Sequence, residues 1–347
     1  MRLNRVWTLG LAIALAAGTV TARPREAPDA HSSPMSADAT ALIAELRERA
    51  AFVDSALVVQ HGKRLAEYFA SDSVRRHAHP LRSAGKSVII TALGIALGPG
   101  REHLIDSPVF ASFHKIGWLP EAKGQRANIR FRDVFSMSAG IRCLAIGTPN
   151  NPCDPSQIAS PLPWKVYLQS PMNAEPGTRF AYNDAAPTVA MALIYALSGN
   201  NAERFAAEKL FRPLECSDNA RLGALTPEDM LKLGELYLAQ GRYKGRQLVS
   251  AEWLAQSTRP QFRFPERPDA GYGYFWWTRR LWAGERPLDS FFAAGNGGQL
   301  ILVIPDLDAV VVTTGTAYDN NQAIAKLMEW VKVVLLPHLV RHAPEDA

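Results

Sequence analysis

The sequence is poor in the residue patterns that mark metalloproteins and nucleic-acid binders. Only three of its 347 residues are cysteine. No two of them form a Cys-x-x-Cys pair, and there is no His-Glu-x-x-His. His77 and His79 flank a single alanine, but no further ligand cluster stands near them. These absences predict no metal site, and no motif calls for another cofactor. The formal net charge is only +5, with no Lys/Arg block of the kind that binds nucleic acid. Past the N-terminus the longest apolar run, Val88 to Leu97, is too short to span a bilayer.

What is present begins with a leader. Arg2 and Arg5 precede an apolar run from Trp7 to Ala17, and Val20-Thr21-Ala22 supplies small residues for cleavage. This predicts a secretory signal peptide over residues 1–22, cut after Ala22, and a periplasmic or secreted protein. The run is too short to favour an uncleaved anchor, and no cysteine near the cut suggests a lipoprotein. Removing those 22 residues from 347 leaves 325; the leader holds two arginines and no acid, so the charge falls from +5 to +3. Export permits a disulfide. Cys143 and Cys153 bracket the turn-rich LAIGTPNNP, and a bridge is favoured over two free thiols, worth about 2–3 kcal/mol through loop closure. Cys216 is then left free.

Residues 23–38 are polar and proline-rich and read as a disordered lead-in. Ala39 to Ala51 has helical spacing. SALVVQHGKRLAEYFA reads as a β-hairpin about His61-Gly62. From about 98 to 264 the pattern is loops and helices, among them one ending at Gly199 and one with Thr226 as N-cap and Gly241 just past its end. GYGYFWW reads as a strand, then two strands flank a Pro305-Asp306 turn, and a last amphipathic helix runs from about Asn321 to His338. Strands at both ends and helices between predict an α+β fold: one catalytic domain over 39–347. Its antiparallel sheet is built from about 39–97 and 265–347, with flanking helices and a mostly helical insert over about 98–264.

The chemistry turns on HPLRSAGKSVIITALGIAL, residues 79–97. As a P-loop it lacks the first glycine, since Pro80 stands there, and it follows an antiparallel hairpin rather than a parallel βαβ strand. As a Gly-x-Ser-x-Gly elbow it has Leu81 where glycine belongs, and it needs a late histidine for which only His338 offers itself. As Ser83-Ala84-Gly85-Lys86 it is a complete Ser-x-x-Lys opening an apolar helix. Ser83 then lies near a positive helix end, and Lys86 lies beside it one turn on. The pattern alone is cheap: Ser112-Phe113-His114-Lys115 repeats it, without an apolar run behind it, and reads as a surface loop.

A serine nucleophile needs a base and an oxyanion hole. GTRFAYNDAAP supplies Tyr182 just before a helix, and a neighbouring ammonium favours a phenolate base. Ala293 to Gln299, AAGNGGQ, puts three glycines where a strand edge must approach a ligand closely, or where a bulge occurs.

With these segments in this order, residues 50 to 340 resemble the serine β-lactamase-related hydrolases: class C β-lactamases, DD-peptidases, certain esterases and 6-aminohexanoate-dimer hydrolases. RSAGKSVIITALGIAL resembles the family's Ser-x-x-Lys helix, IRFRDVFSMSAGI its Thr-[Ile/Val]-Arg segment, and GTRFAYNDAA its Tyr-x-Asn loop. LTPEDMLKLGELYLAQGRYKGRQLVSAEWL resembles the block after the helical insert, and GYGYFWW and GNGGQLILVIPDLDAVVV resemble the late strands. The resemblance implies that Ser83 is acylated, that Lys86 and Tyr182 activate it and shuttle its proton, and that the backbone N–H groups of Ser83 and Asn296 form the oxyanion hole. Asp184 takes the place of the family's asparagine, and Gly295 closes the third motif.

Two departures direct the expected substrate. Tyr-Asn-Asp replaces Tyr-x-Asn, which sets an acid close to Lys86 and weakens that lysine as a base. Ala293-Ala294-Gly295 replaces Lys-Thr-Gly, so the side chains that grip a β-lactam or peptide carboxylate are missing. Between Leu214 and Leu225 the chain is also shorter than in many relatives, at a loop bordering the helical part. The expectation is an exported serine hydrolase of small esters or amides. A β-lactamase or DD-peptidase acting on peptides stands second, and a catalytically silent ligand-binding homologue third. Trp164, Trp276 and Trp277 line either an apolar acyl pocket or the core. Nothing in the sequence indicates the oligomeric state.

Overall fold

The computed structural model describes residues 36–341, apart from 144–147, 152, 155–159, 161, 319 and 321. The leader and nearly all of the lead-in lie outside the described residues. The chain has one large antiparallel sheet. Its strands are β1 (Val53–Gln60), β2 (Lys63–Phe69), β3 (Phe262–Phe264), β4 (Arg267–Tyr272), β5 (Trp277–Ala283), β6 (Arg286–Gly295), β7 (Gln299–Ile304) and β8 (Ala309–Gly315). They run in the order β2-β1-β8-β7-β6-β5-β4-β3. The N-terminal hairpin therefore pairs with the last strand, Leu57 opposite Val312 and Val59 opposite Val310. His61 (φ 49°) and Gly62 (φ 70°) both take positive φ in that hairpin, the turn whose twist matches two antiparallel strands.

β7 (QLILVI) and β8 (AVVVTTG) are buried at every position, because both faces of the sheet are covered. Alternate residues point to opposite faces. Leu57, Val59, Ile301, Val303 and Val312 enter one core with helix α2 (Gly85–Leu97) and helix α3 (Ala186–Ser198). Val58, Leu300, Leu302, Ile304 and Val311 enter a second core with helix α1 (Ala37–Arg49) and the C-terminal helical segment. α2 is apolar nearly all round because it is enclosed on nearly all sides: eleven of its residues from Gly85 to Leu97 are buried.

Several elements differ from the sequence reading. α1 starts at Ala37, where the Ser36 hydroxyl accepts from the Ala39 N–H, two residues before the expected start at 39. GYGYFWW is not one strand: β4 ends at Tyr272, and the chain turns through Gly273 to Trp276, with Phe275 at φ 56°. The sheet resumes at Phe262 rather than 265. Helix α4 (Pro227–Leu238), from the middle of the chain, packs on β7 and β8. Ser112 lies on a short helix, Val109–Lys115, where its hydroxyl bonds the Pro108 carbonyl. The last helical segment runs from Ala323 to Arg341, with a wide turn over Val331–Leu335.

The Cys143–Cys153 bridge is present, with Cα atoms 5.3 Å apart, and Cys216 is free. Among the described residues, no helix is long and apolar enough to cross a membrane. Since the bridge closes a short loop, reducing it, or replacing both Cys143 and Cys153 by serine, is expected to lower unfolding stability by about 2–3 kcal/mol. Thermal or urea denaturation with and without reductant measures this.

Candidate active site

The site forms where α2 meets the open end of β6. Arg82 to Ala84 make a short 3₁₀ turn, and the α-helix starts only at Gly85. Ser83 therefore sits just ahead of the helix rather than in its first turn. Arg82, the residue before it, takes φ 52°, a conformation uncommon for any residue with a Cβ. The turn is bracketed from the sheet side. A Cβ on Gly295 would come 2.1 Å from the Leu81 carbonyl oxygen and 3.2 Å from the Ala84 nitrogen. Only glycine lets the end of β6 approach the Ser83 turn this closely.

Lys86 follows one turn later and is only 7% exposed. Its Nζ donates to Ser83 Oγ at 3.1 Å and to Asp184 Oδ1 at 2.5 Å. The same ammonium stands 4.9 Å from the centre of the Tyr182 ring. Burial pushes this lysine down. The facing Tyr182 and Asp184, by charge and by hydrogen bonding, outweigh burial and hold it above its usual value. The ammonium form is thus the one the site favours.

Helix α3 positions the partners of Lys86. Asn183 is buried, and its Oδ1 accepts from the N–H groups of Ala185 (3.2 Å) and Ala186 (2.8 Å) while its Nδ2 donates to Ala181 O. This residue fastens the start of the helix and is spent there. Asp184, next in the chain, is the one that turns to Lys86. The Tyr182 ring stacks on Trp277 at 5.7 Å, and Tyr272 meets both, 6.2 Å from Tyr182 and 4.8 Å from Trp277. Burial, then the facing Tyr182 and Asp184, raise the Tyr272 phenol well above its usual value. Half-buried Phe180 and Phe264 extend this aromatic wall, 6.1 and 6.2 Å from Trp277.

Of the three tryptophans raised by the sequence, only Trp277 reaches the site. Trp276 is fully buried and bonds the Tyr237 hydroxyl, and Trp164 packs on Phe113 and Trp118. Ser87, which a P-loop would aim at a phosphate-bound cation, donates instead to the Phe275 carbonyl at 2.6 Å and is buried. His338, the elbow's histidine, is buried in the C-terminal helix that packs on the second core. Burial and nearby Asp229 push the Cys216 thiol up to about 12, so it is no rival nucleophile. A cavity of about 280 Å³ lies elsewhere, beside Arg259, Arg263 and Arg279 near the far end of β6. Two features went unread in the sequence: the Arg82 guanidinium 4.8 Å over the Tyr318 ring, and the buried amide of Gln299 behind the glycine turn. No local pattern marks either one, since each depends on contacts remote in sequence.

Comparison with known proteins gives the family and the fold. The Beta-lactamase family profile matches residues 39–327. Among curated proteins, no sequence matches the chain. Among solved structures, the chain is similar to the D-amino acid amidase of Ochrobactrum anthropi SV3 complexed with L-phenylalanine amide. That match has TM-score 0.62 and 15% identity, and covers 88% of this chain and 99% of that one. It is similar to EstCE1, a hydrolase with promiscuous acyltransferase activity (TM-score 0.61, 14% identity, 85% and 97% covered). A β-lactamase from Mycobacterium bovis also matches (TM-score 0.55, 18% identity, 86% and 96% covered).

The Lys86–Asp184 pair sets the pH behaviour. Lys86 is raised on folding, so the stability its charge provides is complete below the ordinary lysine value and is lost as pH rises through the folded one. Asp184→Asn removes a counter-charge from a buried ammonium, and Asp184 itself is about a third exposed. The variant is expected to lose about 1–3 kcal/mol at neutral pH, with the alkaline limit of stability moving to lower pH. Denaturation of both proteins across pH measures the pair.

Proposed function

Because the chain belongs to the Beta-lactamase family, a family of serine-type hydrolases in fold and mechanism, we propose that it is an exported serine hydrolase cleaving small, uncharged esters or amides through an acyl-enzyme on Ser83. The observation that carries this reading is the contact of one buried ammonium with both Ser83 Oγ and Asp184, beside the Tyr182 ring. Lys86 kept protonated is a poor base. It serves as the charge that holds Ser83 Oγ and favours negative charge on its neighbours, which leaves Tyr182 to take the hydroxyl proton. Oγ then attacks the substrate carbonyl carbon. The oxyanion is held by the N–H groups of Ser83 and Asn296, each such donor lowering the barrier by roughly 2.7–4 kcal/mol. Collapse expels the leaving group with the proton from Tyr182, and water cleaves the ester left on Ser83.

The substrate class follows from what lines the cleft. On the sheet face turned toward α2, β6 carries only the methyl of Ala293 near its end, with no cation or hydroxyl for a carboxylate, while Ala294 packs on the opposite face; the rings of Trp277, Phe180 and Phe264 supply an apolar wall. This supports uncharged ester or amide substrates over β-lactams and peptidoglycan peptides. The tight Lys86–Asp184 pair also favours one rival, a catalytically silent homologue that only binds its ligand. Turnover separates them. Wild-type protein is expected to hydrolyse p-nitrophenyl esters with little nitrocefin turnover, and Ser83→Ala to fold normally and lose ester turnover. Full activity in Ser83→Ala rules out the assigned nucleophile, and no turnover by folded wild type favours the silent binder.

A further inference from the structure

We propose that Gln299 is a positioning residue of the oxyanion hole, an inference that rests on the serine-hydrolase reading above. β6 ends at Gly295, and the chain turns through Asn296, Gly297 and Gly298 before entering β7 at Gln299. Gly297 (φ 97°) and Gly298 (φ 101°) hold a backbone that favours glycine. The Asn296 side chain is exposed, so the direction of its N–H is set by how the turn is held from behind.

Gln299 does much of the holding. It is fully buried. Its Nε2 donates to the Gly315 carbonyl at 2.6 Å and to the Asn296 carbonyl at 3.5 Å. It therefore ties the residue carrying the oxyanion N–H to the end of β8. Thr313 adds a second tie, Oγ1 donating to the Gly298 carbonyl at 2.8 Å, and the Ala317 N–H donates to Gly297 O at 3.1 Å. The other side of the turn is closed by Tyr318, whose ring carbon would lie 2.6 Å from a Cβ on Gly297. On the same turn, Gly295 presses against the Ser83 turn. The two proposed N–H donors are thus carried by two turns in contact, one of them clamped by Gln299.

The chemistry of Gln299 argues that the clamp is its role. Both neighbours of Nε2 are carbonyl oxygens, which settles the orientation of the amide. Oε1 is then left buried without a hydrogen-bond donor among the described residues. A buried acceptor without a donor is destabilising. An aliphatic side chain of the same volume would remove the unpaired Oε1, but it would also take the donor away from the Gly315 and Asn296 carbonyls and could not hold Asn296.

The experiment compares wild type, Gln299→Leu, Gln299→Met and Thr313→Val by thermal midpoint and by kcat and KM on a p-nitrophenyl ester. Gln299→Leu, which removes one unpaired acceptor and deprives two carbonyls of a donor, is expected to stay folded with only a modest change in thermal midpoint and to hold KM within about 3-fold. Its kcat should fall roughly 10- to 100-fold, as when a catalytic group is displaced by about 1 Å. Thr313→Val is expected to shift kcat in the same direction by less. Gln299→Leu with wild-type kcat, a change confined to KM, or a kcat loss that tracks a falling midpoint overturns the inference. So does failure of both Gln299 variants to fold, which would make the residue structural. No turnover by folded wild type fails differently: the serine-hydrolase reading falls first, and this inference with it.

Discussion

The site depends on one buried charge. A lysine ammonium removed from water is costly unless it is paired and hydrogen-bonded. Lys86 meets that condition through contacts to three side chains, Ser83, Tyr182 and Asp184, brought from two segments about a hundred residues apart. α2 must stand against α3 for the pair to form, and the apolar faces of both helices are what drive them together. The same packing that builds the first core thus aims the lysine. The ammonium in turn fixes where Ser83 Oγ and the Tyr182 ring lie.

Around this charge the backbone takes unfavourable conformations where the two turns meet. Arg82 in the left-handed region costs on the order of 1 kcal/mol, and the Gly297-Gly298 pair is accessible only because neither residue has a Cβ. Such strain persists when the surroundings over-determine it. Here they do: Leu81 lies under Gly295, Tyr318 and Gln299 flank Gly297, and Phe52 packs on Gly298. β1, β7 and β8 are the frame to which these turns are attached, and helices cover that frame on both faces.

Much of this was legible in the sequence. The hairpin at His61-Gly62, the apolar helix after Ser83, the helix capped by Thr226 and the late β strands are local patterns of spacing and turn chemistry, and local patterns survive folding. The antiparallel sheet joined from both chain ends followed from their order. What could not be read was long-range. GYGYFWW has the composition of a strand, but Ser257 O and Ser87 Oγ bond the backbone of Tyr274 and Phe275 and hold a turn there. Asn183 and Asp184 are equally polar neighbours, and only the start of α3 decides that Asn183 bonds backbone while Asp184 faces Lys86. Trp276 and Trp277 are adjacent and point to opposite sides of a strand start, so one is core and the other lines the site. Gln299 looks like any polar residue at a strand entrance until Gly315 and Asn296 are placed around its amide.

On the proposed mechanism Ser83, and no other serine, is made nucleophilic by its surroundings. The most direct measurement is the intact mass of the protein after treatment with a fluorophosphonate, followed by peptide mapping. A single adduct on Ser83 is expected, with none on Ser112 despite the same Ser-x-x-Lys spacing and none in the Ser83→Ala protein. An adduct elsewhere, or a folded wild-type protein that stays unlabelled by both the fluorophosphonate and a β-lactam, would overturn that mechanism.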